Sequence, residues 1–269
     1  MAKSYQEHFE QRGSAYDRAM LRFPEARRQE FEQVIAAGRL APGMKIADVP
    51  AGGAYLCAFL PPGCEYQAHE PCASFTNHGQ GGQPLQCKDD FSRGAAPSEK
   101  GDGAQGGLPL LPLPWADDEI DVAISLAGVH HLADKRPLFR ELKRVIKPGG
   151  RLALSDVAKG SKVATFLDGY VGDFNSTGHD GIFLDRSTLQ DLESAGFVIE
   201  QRHLNDFHWT FANRDDMATF CHELFDLQKS NVADTQRAIE QQLGVTDYPD
   251  GTVGMAWQLM TISAVVTDE

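Results

Sequence analysis

The sequence predicts an α/β fold built on a mostly parallel, doubly wound sheet, and three observations predict it. Short apolar runs alternate with stretches of helical periodicity from residue 44 to residue 157. One run, Ile120 to Ala127, is apolar almost throughout, as strands covered on both faces are. Glycine and proline, the residues of turns, separate the runs. Alternation of this kind places parallel strands in one sheet, with the connecting helices on its faces.

Taken in order, residues 4–37 read as helix broken near Pro24, with Phe31, Val34 and Ile35 on one face and Gly38 as its stop. Met44 to Val49 is the first buried strand, Tyr55 to Leu60 a helical segment, and Glu65 to Glu70 the second strand. Ile120 to Ala127 follows, then a helix over Pro137 to Ile146 that points Leu138, Phe139, Leu142 and Val145 inward. A Pro148-Gly149-Gly150 turn leads to a strand over Arg151 to Val157. Ser187 to Gln190 fits a capping box, opening a helix that carries Leu189, Leu192 and Ala195 and stops at Gly196. Phe197 to Leu204 and Trp257 to Val266 are the last two strands. Between them, residues 205–250 form a helical excursion with Met217, Phe220, Leu224 and Leu227 at helical spacing. Residues 79–107 are Gly-rich and polar and read as a long surface loop, with one short strand open at Leu85 to Lys88.

The 269 residues carry 25 Lys and Arg against 38 Asp and Glu, a net charge of −13. That balance, with no dense basic block, argues against a nucleic-acid partner. The five cysteines are odd in number and form no C-x-x-C pair, so neither a disulfide framework nor a metal site is expected, and reduced thiols in the cytoplasm are. The charged start is no signal peptide, and no apolar stretch reaches the roughly 20 residues that span a bilayer, so membrane insertion is not expected.

The most informative segment is Ile46-Ala47-Asp48-Val49-Pro50-Ala51-Gly52-Gly53-Ala54. A strand ends in a carboxylate, a glycine turn follows, and a helical segment begins. Glycines there let the backbone approach a ligand closely. Asp48 suits an ammonium group, whereas a dinucleotide site keeps carboxylates away from its pyrophosphate. Glu70, followed by Pro71, ends the next strand, where a carboxylate can accept both hydroxyls of a ribose.

This segment resembles motif I of class I S-adenosylmethionine-dependent methyltransferases. Leu111 to Leu132 is similar to the stretch running into their fourth strand, and Arg144 to Asp156 to the turn and strand after it. The likeness is nearest to the ubiquinone/menaquinone-like and small-molecule group. It implies a Rossmann-like seven-stranded domain over 1–269, with a helical cover (1–40), a cofactor-binding core (44–157) and substrate-side elements (158–269). It further implies S-adenosylmethionine as cofactor, with Asp48 near its amino group and Pro50, Ala51, Gly52 and Gly53 beneath it. Glu70 would hold the ribose, Leu126 and Ala127 would give backbone contacts, and Tyr16 would close over the top. Two departures stand out: the glycine-x-glycine-x-glycine of the family is Pro50-x-Gly52-x-Ala54 here, and its acidic adenine contact has only Asp89, Asp90 and Asp102 as candidates.

His130 and His131 follow the fourth strand of that pattern, where open α/β sheets bind ligands, and an imidazole is a suitable base near neutral pH. They are the catalytic candidates. Tyr170, Asn175, His179 and Trp209 are candidates for an acceptor pocket. The reading is methyl transfer to a small-molecule acceptor, with a homodimer left open. Its alternative is a protein of the same fold that binds without transferring, either a cyclase or a regulatory partner subunit. A nicotinamide oxidoreductase is disfavoured because it would normally carry G-x-G-x-x-G in the turn after the first strand, where Pro50 to Ala54 do not supply it, and because no Tyr-x-x-x-Lys pair occurs. Base methylation is disfavoured because no Asn/Asp-Pro-Pro-Tyr motif occurs.

Overall fold

Alternation of side chains along each strand divides the interior into two apolar layers. Ile46, Val122, Ile124 and Ala153 face one layer, while Ala47, Ala123, Leu152 and Leu154 face the other. A strand buried on both faces must be apolar at consecutive positions, which is why Ile120–Leu126 shows no polar alternation. The computed structural model describes residues 5–75, 84–85 and 110–267.

The strands are β1 (Lys45–Asp48), β2 (Glu65–Ala68), β3 (Pro84–Leu85), β4 (Ile120–Leu126), β5 (Ile146–Asp156), β6 (Phe197–Phe211), β7 (Val245–Asp247) and β8 (Val253–Val266). They lie in one sheet in the order β3-β2-β1-β4-β5-β8-β6, with β7 paired to β8. β2, β1, β4 and β5 run parallel, and β8 lies antiparallel between β5 and β6. The order turns at β1, whose neighbours are β2 on one side and β4 on the other. Ligands of open α/β sheets bind in the crevice at the carboxyl ends of such a pair. Asp48 and Leu126 stand at those ends.

The helices are α1 (Tyr5–Arg22), α2 (Arg28–Gly38), α3 (Arg136–Val145), α4 (Lys162–Phe166), α5 (Gly172–Phe174), α6 (Arg186–Ser194), α7 (Arg214–Leu224) and α8 (Val232–Gln242). α2 packs on one face of the sheet, while α3 and α6 cover the other. α1 leans on α7 and carries Tyr5, Phe9, Arg12 and Tyr16 at helical spacing towards the carboxyl ends of β1 and β4.

Several expectations are corrected. Residues 55–59 form a 3-10 helix, too short for the helix the pattern suggested. β5 continues through Pro148-Gly149-Gly150, where Gly149 takes a positive φ of 73° and the pairing with β4 shifts register. The capping box lies two residues earlier than predicted. Asp185 accepts from the Ser187 N–H at 2.8 Å, and the Thr188 hydroxyl accepts from the Asp185 N–H at 3.3 Å. β6 and β8 are longer than predicted because the excursion's flanks pair with each other, from Asn205↔Leu259 out to Phe211↔Val253. β7 makes an eighth strand beside the seven along the main path. The short strand is Pro84–Leu85, and the remainder of residues 79–107 lies outside the described residues, as do Asp89, Asp90 and Asp102. Cys57 is disulfide-bonded, against the expectation of reduced thiols, while Cys64, Cys72 and Cys221 are free. Among the described residues no helix is long and apolar enough to cross a membrane.

Candidate active site

Two cavities of about 50 Å³ each meet beneath α1. The first opens at the ends of β1 and β4. Asp48, Pro50, Ala51, Gly52, Leu126 and Ala127 line it from below, and Tyr5, Phe9 and Tyr16 cover it. Gly52 holds a φ of +54°, a conformation that favours glycine. Gly53 lies outside this lining, and its missing Cβ leaves room for the Tyr55 ring.

Asp48 is buried and accepts a hydrogen bond from the Tyr66 hydroxyl at 2.6 Å. Burial raises its pKa to about 7, opposed by the Tyr66 hydrogen bond and reinforced by the nearby Glu70 charge. Glu70 lies just past β2 and is also buried. One oxygen accepts from the Gly52 N–H and the Tyr5 hydroxyl, each at 2.8 Å, and the other from the Cys72 N–H at 2.8 Å. Burial raises its pKa, against the pull of those three donors. Pro71 is buried beside it, outside the cavity lining.

The Tyr5 hydroxyl thus occupies one of the hydrogen-bonding positions on Glu70. A pocket for a drug-sized ligand measures roughly 300–1,000 Å³. The first cavity as it stands is therefore too small for such a ligand, and Tyr5, Phe9 and Tyr16 of α1 are part of what fills it.

The second cavity lies beside the first and shares Phe9, Tyr16, Arg27 and Ala127 with it as walls. Its walls include Arg12, His130, His131, His179, Trp209 and Trp257. Trp209 stacks on Trp257 with ring centroids 4.2 Å apart and donates from Nε1 to Glu30 at 2.6 Å. Glu30 also pairs with Arg27, which donates in turn to the Tyr16 hydroxyl. Burial alone would lower the Arg27 pKa, but Glu30 and Tyr16 more than offset it. Arg12 differs: it is buried, with Nε and Nη1 lacking any hydrogen-bond partner. Burial lowers its pKa to about 10, although Asp226 and Tyr16 act against that.

His130 sits in a 3-10 turn after β4, pinned by Asp156 at the end of β5. Its backbone N–H donates to Oδ2 at 3.0 Å and its Nδ1 lies 2.6 Å from Oδ1. Burial works to raise the Asp156 pKa, yet His130 and the N–H groups of Val157 and His130 hold it below the ordinary value. His179 comes from the loop after α5, its Nδ1 2.7 Å from Asp168. Burial lowers its pKa while Asp168 opposes that. The three imidazoles cluster, with ring centroids 4.1 Å apart for His130 and His131, 5.4 Å for His130 and His179, and 5.3 Å for His131 and His179.

Two acceptor candidates fall elsewhere. The Tyr170 hydroxyl bonds Ser230 at 2.6 Å and Thr235 at 3.2 Å, because its ring stacks with Phe166 in the core and directs it towards α8. Asn175 is fully buried, its Oδ1 accepting from the N–H groups of Thr177 at 3.0 Å and Gly178 at 2.5 Å. It shapes the loop that delivers His179 and faces neither cavity. Sequence reasoning missed Tyr5, Arg12, Arg27, Glu30, Asp156 and Asp168. Tyr5, Phe9, Arg12 and Tyr16, at i, i+4, i+7 and i+11, are the one signal that was legible, a continuous helix face.

Comparison with known proteins bears on this arrangement. The family described as a methyltransferase domain matches residues 100–154. A 27-O-demethylrifamycin SV methyltransferase of Amycolatopsis mediterranei is 44% identical over 46 residues, 17% of this chain and 17% of that protein. An arsenite methyltransferase of Halobacterium salinarum is 37% identical over 89 residues, 32% of this chain and 22% of that protein. A demethylmenaquinone methyltransferase of Corynebacterium urealyticum is 44% identical over 46 residues, 17% and 20%. The chain thus spans between 17% and 22% of the length of these curated relatives.

Among solved structures, a phosphoethanolamine N-methyltransferase of Haemonchus contortus, in complex with phosphomonomethylethanolamine and S-adenosylhomocysteine, superposes with a TM-score of 0.56 at 12% identity. The match covers 99% of this chain and 61% of that one. The [4+2]-cyclase SpnF gives 0.53 at 19%, covering 90% and 81%. At such identities the likeness is one of fold.

Proposed function

We propose that this chain, by fold and core segment a class I S-adenosylmethionine-dependent methyltransferase, binds that cofactor in the first cavity and methylates a small molecule held in the second. The observation that carries the reading is that the two cavities share Ala127 as a wall, with Asp48 lining the first and three imidazoles the second. The first cavity fits the cofactor chemically: Asp48 faces it, with Glu70 hydrogen-bonded to the Gly52 N–H at its rim, and the turn brings Gly52 backbone close. Asp48 would meet the amino group and Glu70 the ribose hydroxyls now replaced by the Tyr5 hydroxyl. When bound, the cofactor supplies an electrophilic methyl group on a sulfonium.

The residues of the chain position the acceptor and manage its proton. Trp209, Trp257 and Phe9 give apolar walls, and Arg12 offers unpaired donors to an acidic group on the acceptor. Placing the acceptor atom in line with the methyl accounts for much of the acceleration such a reaction needs. His131 stands where it can take a proton as the new bond forms. Cover by α1 keeps water from the junction.

The test is incubation with methyl-tritiated cofactor and a fractionated metabolite extract. Label should appear in low-mass products and stay out of the protein and nucleic-acid fractions. His131→Ala should lower turnover at unchanged cofactor affinity. Cofactor binding with no label in any fraction would instead favour a non-transferring role, a reading that the likeness in fold to a cyclase keeps specific.

A further inference from the structure

We propose that His130, His131 and His179 bind one divalent transition-metal ion of the zinc class at the wall of the second cavity. Each imidazole offers a ligand atom, and these atoms lie within 4.8 Å of one another. The relevant chemistry is neutral nitrogen donors, the ligands that zinc and its neighbours prefer.

The surroundings resemble a built site more than a chance meeting of rings. Metal-binding histidines almost always engage their other ring nitrogen with a carboxylate or carbonyl, which fixes the tautomer and turns the free nitrogen to the ion. Here Nδ1 of His130 is held by Asp156 at 2.6 Å and Nδ1 of His179 by Asp168 at 2.7 Å, leaving Nε2 of each for an ion. The backbone is tied as well. The Ile182 N–H donates to the His130 carbonyl at 2.8 Å, and the Gly181 N–H donates to Asp168 at 2.9 Å. The two segments that supply the imidazoles are therefore joined to each other directly.

Charge decides whether a cation is tolerated. Asp156 and Asp168 stand behind the rings, while the Arg12 guanidinium lines the same cavity on the other side. The two carboxylates offset the guanidinium, and an anionic ligand between ion and Arg12 would be drawn to both. Three protein ligands leave the fourth position open towards the cavity, as catalytic zinc sites do. With the ion bound, His131 would serve as a ligand instead of a base, and an acceptor hydroxyl or thiol coordinated in the open position would lose its proton more readily.

The site shares the cavity proposed for the acceptor, but metal uptake is measured without cofactor or acceptor, so the two readings fail separately. Tag-free, chelator-treated full chain is titrated with cobalt(II) chloride, then with zinc chloride, by calorimetry and visible absorbance. One equivalent of cobalt should bind, with the visible bands of a nitrogen-ligated four-coordinate site, and zinc should displace it. His179→Ala should abolish stoichiometric uptake. Asp168→Asn, which keeps all three imidazoles, should weaken it about 10–100-fold. Thermal melts without metal show whether each variant is folded, and if His179→Ala is not, Asp168→Asn decides. No stoichiometric uptake by the parent chain, or equal uptake by parent and a folded variant, would overturn the site.

Discussion

The unliganded protein should lose stability as pH rises from about 4 to about 7, and Asp48→Asn should remove much of that loss. The cause is the buried carboxyl of Asp48, whose pKa is raised from 3.8 to about 7, chiefly by burial. Between those values the folded chain holds a proton on Asp48 that the unfolded chain has released. The unfolded state binds fewer protons there, so stability falls with rising pH and the contribution levels off above about 7. A gap of about three units corresponds to up to about 4 kcal/mol. Below pH 4 both states are protonated and the two proteins should differ little. Asparagine can still accept from the Tyr66 hydroxyl, so the comparison isolates ionisation. Urea melts of both proteins at pH 4, 5.5 and 7.5 would measure it, and parallel pH profiles would remove Asp48 as the cause. A bound ammonium beside Asp48 should reverse the preference, so cofactor binding near pH 6 should release protons.

Glu70→Ala should weaken cofactor binding by about 1.5–3 kcal/mol, the range for hydrogen bonds to a charged group. At 1.4 kcal/mol per tenfold, that is about 10- to 150-fold in Kd. The same carboxylate anchors Tyr5 at 2.8 Å, so its loss also frees the start of α1. The two effects oppose each other: losing the ribose contact weakens binding, while an unlatched cover eases entry. Tyr5→Phe separates them, since it removes the latch and leaves Glu70 in place. Glu70→Ala should bind more weakly than Tyr5→Phe, and equal affinities would mean that Glu70 makes no contact with the cofactor.

The parallel core was legible because its signal is local. Val122, Ala123 and Ile124 are apolar at consecutive positions within β4, and the turn after Asp48 carries its glycines in sequence. The antiparallel edge was legible only in part. Residues 205–211 alternate polar and apolar weakly, and their strand character comes from pairing with β8 some fifty residues away. The cavity walls were the least legible. Asp156 falls in the strand predicted over Arg151 to Val157 and Asp168 in no motif, until the fold sets them behind His130 and His179. Arg27 and Glu30 read as an ordinary i, i+3 pair on a helix, and only burial beneath Trp209 makes them part of a wall. Tyr170 and Asn175 show the converse: polar residues in a promising loop whose hydrogen bonds go to the fold itself.

The most direct test of the central claim is calorimetric titration of the purified protein with S-adenosylmethionine and, separately, with S-adenosylhomocysteine. Both should bind at one site per chain with micromolar affinity, about −8 kcal/mol. Failure of a folded protein to bind either one would contradict it, and would withdraw the roles proposed for Asp48, Glu70 and His131 together.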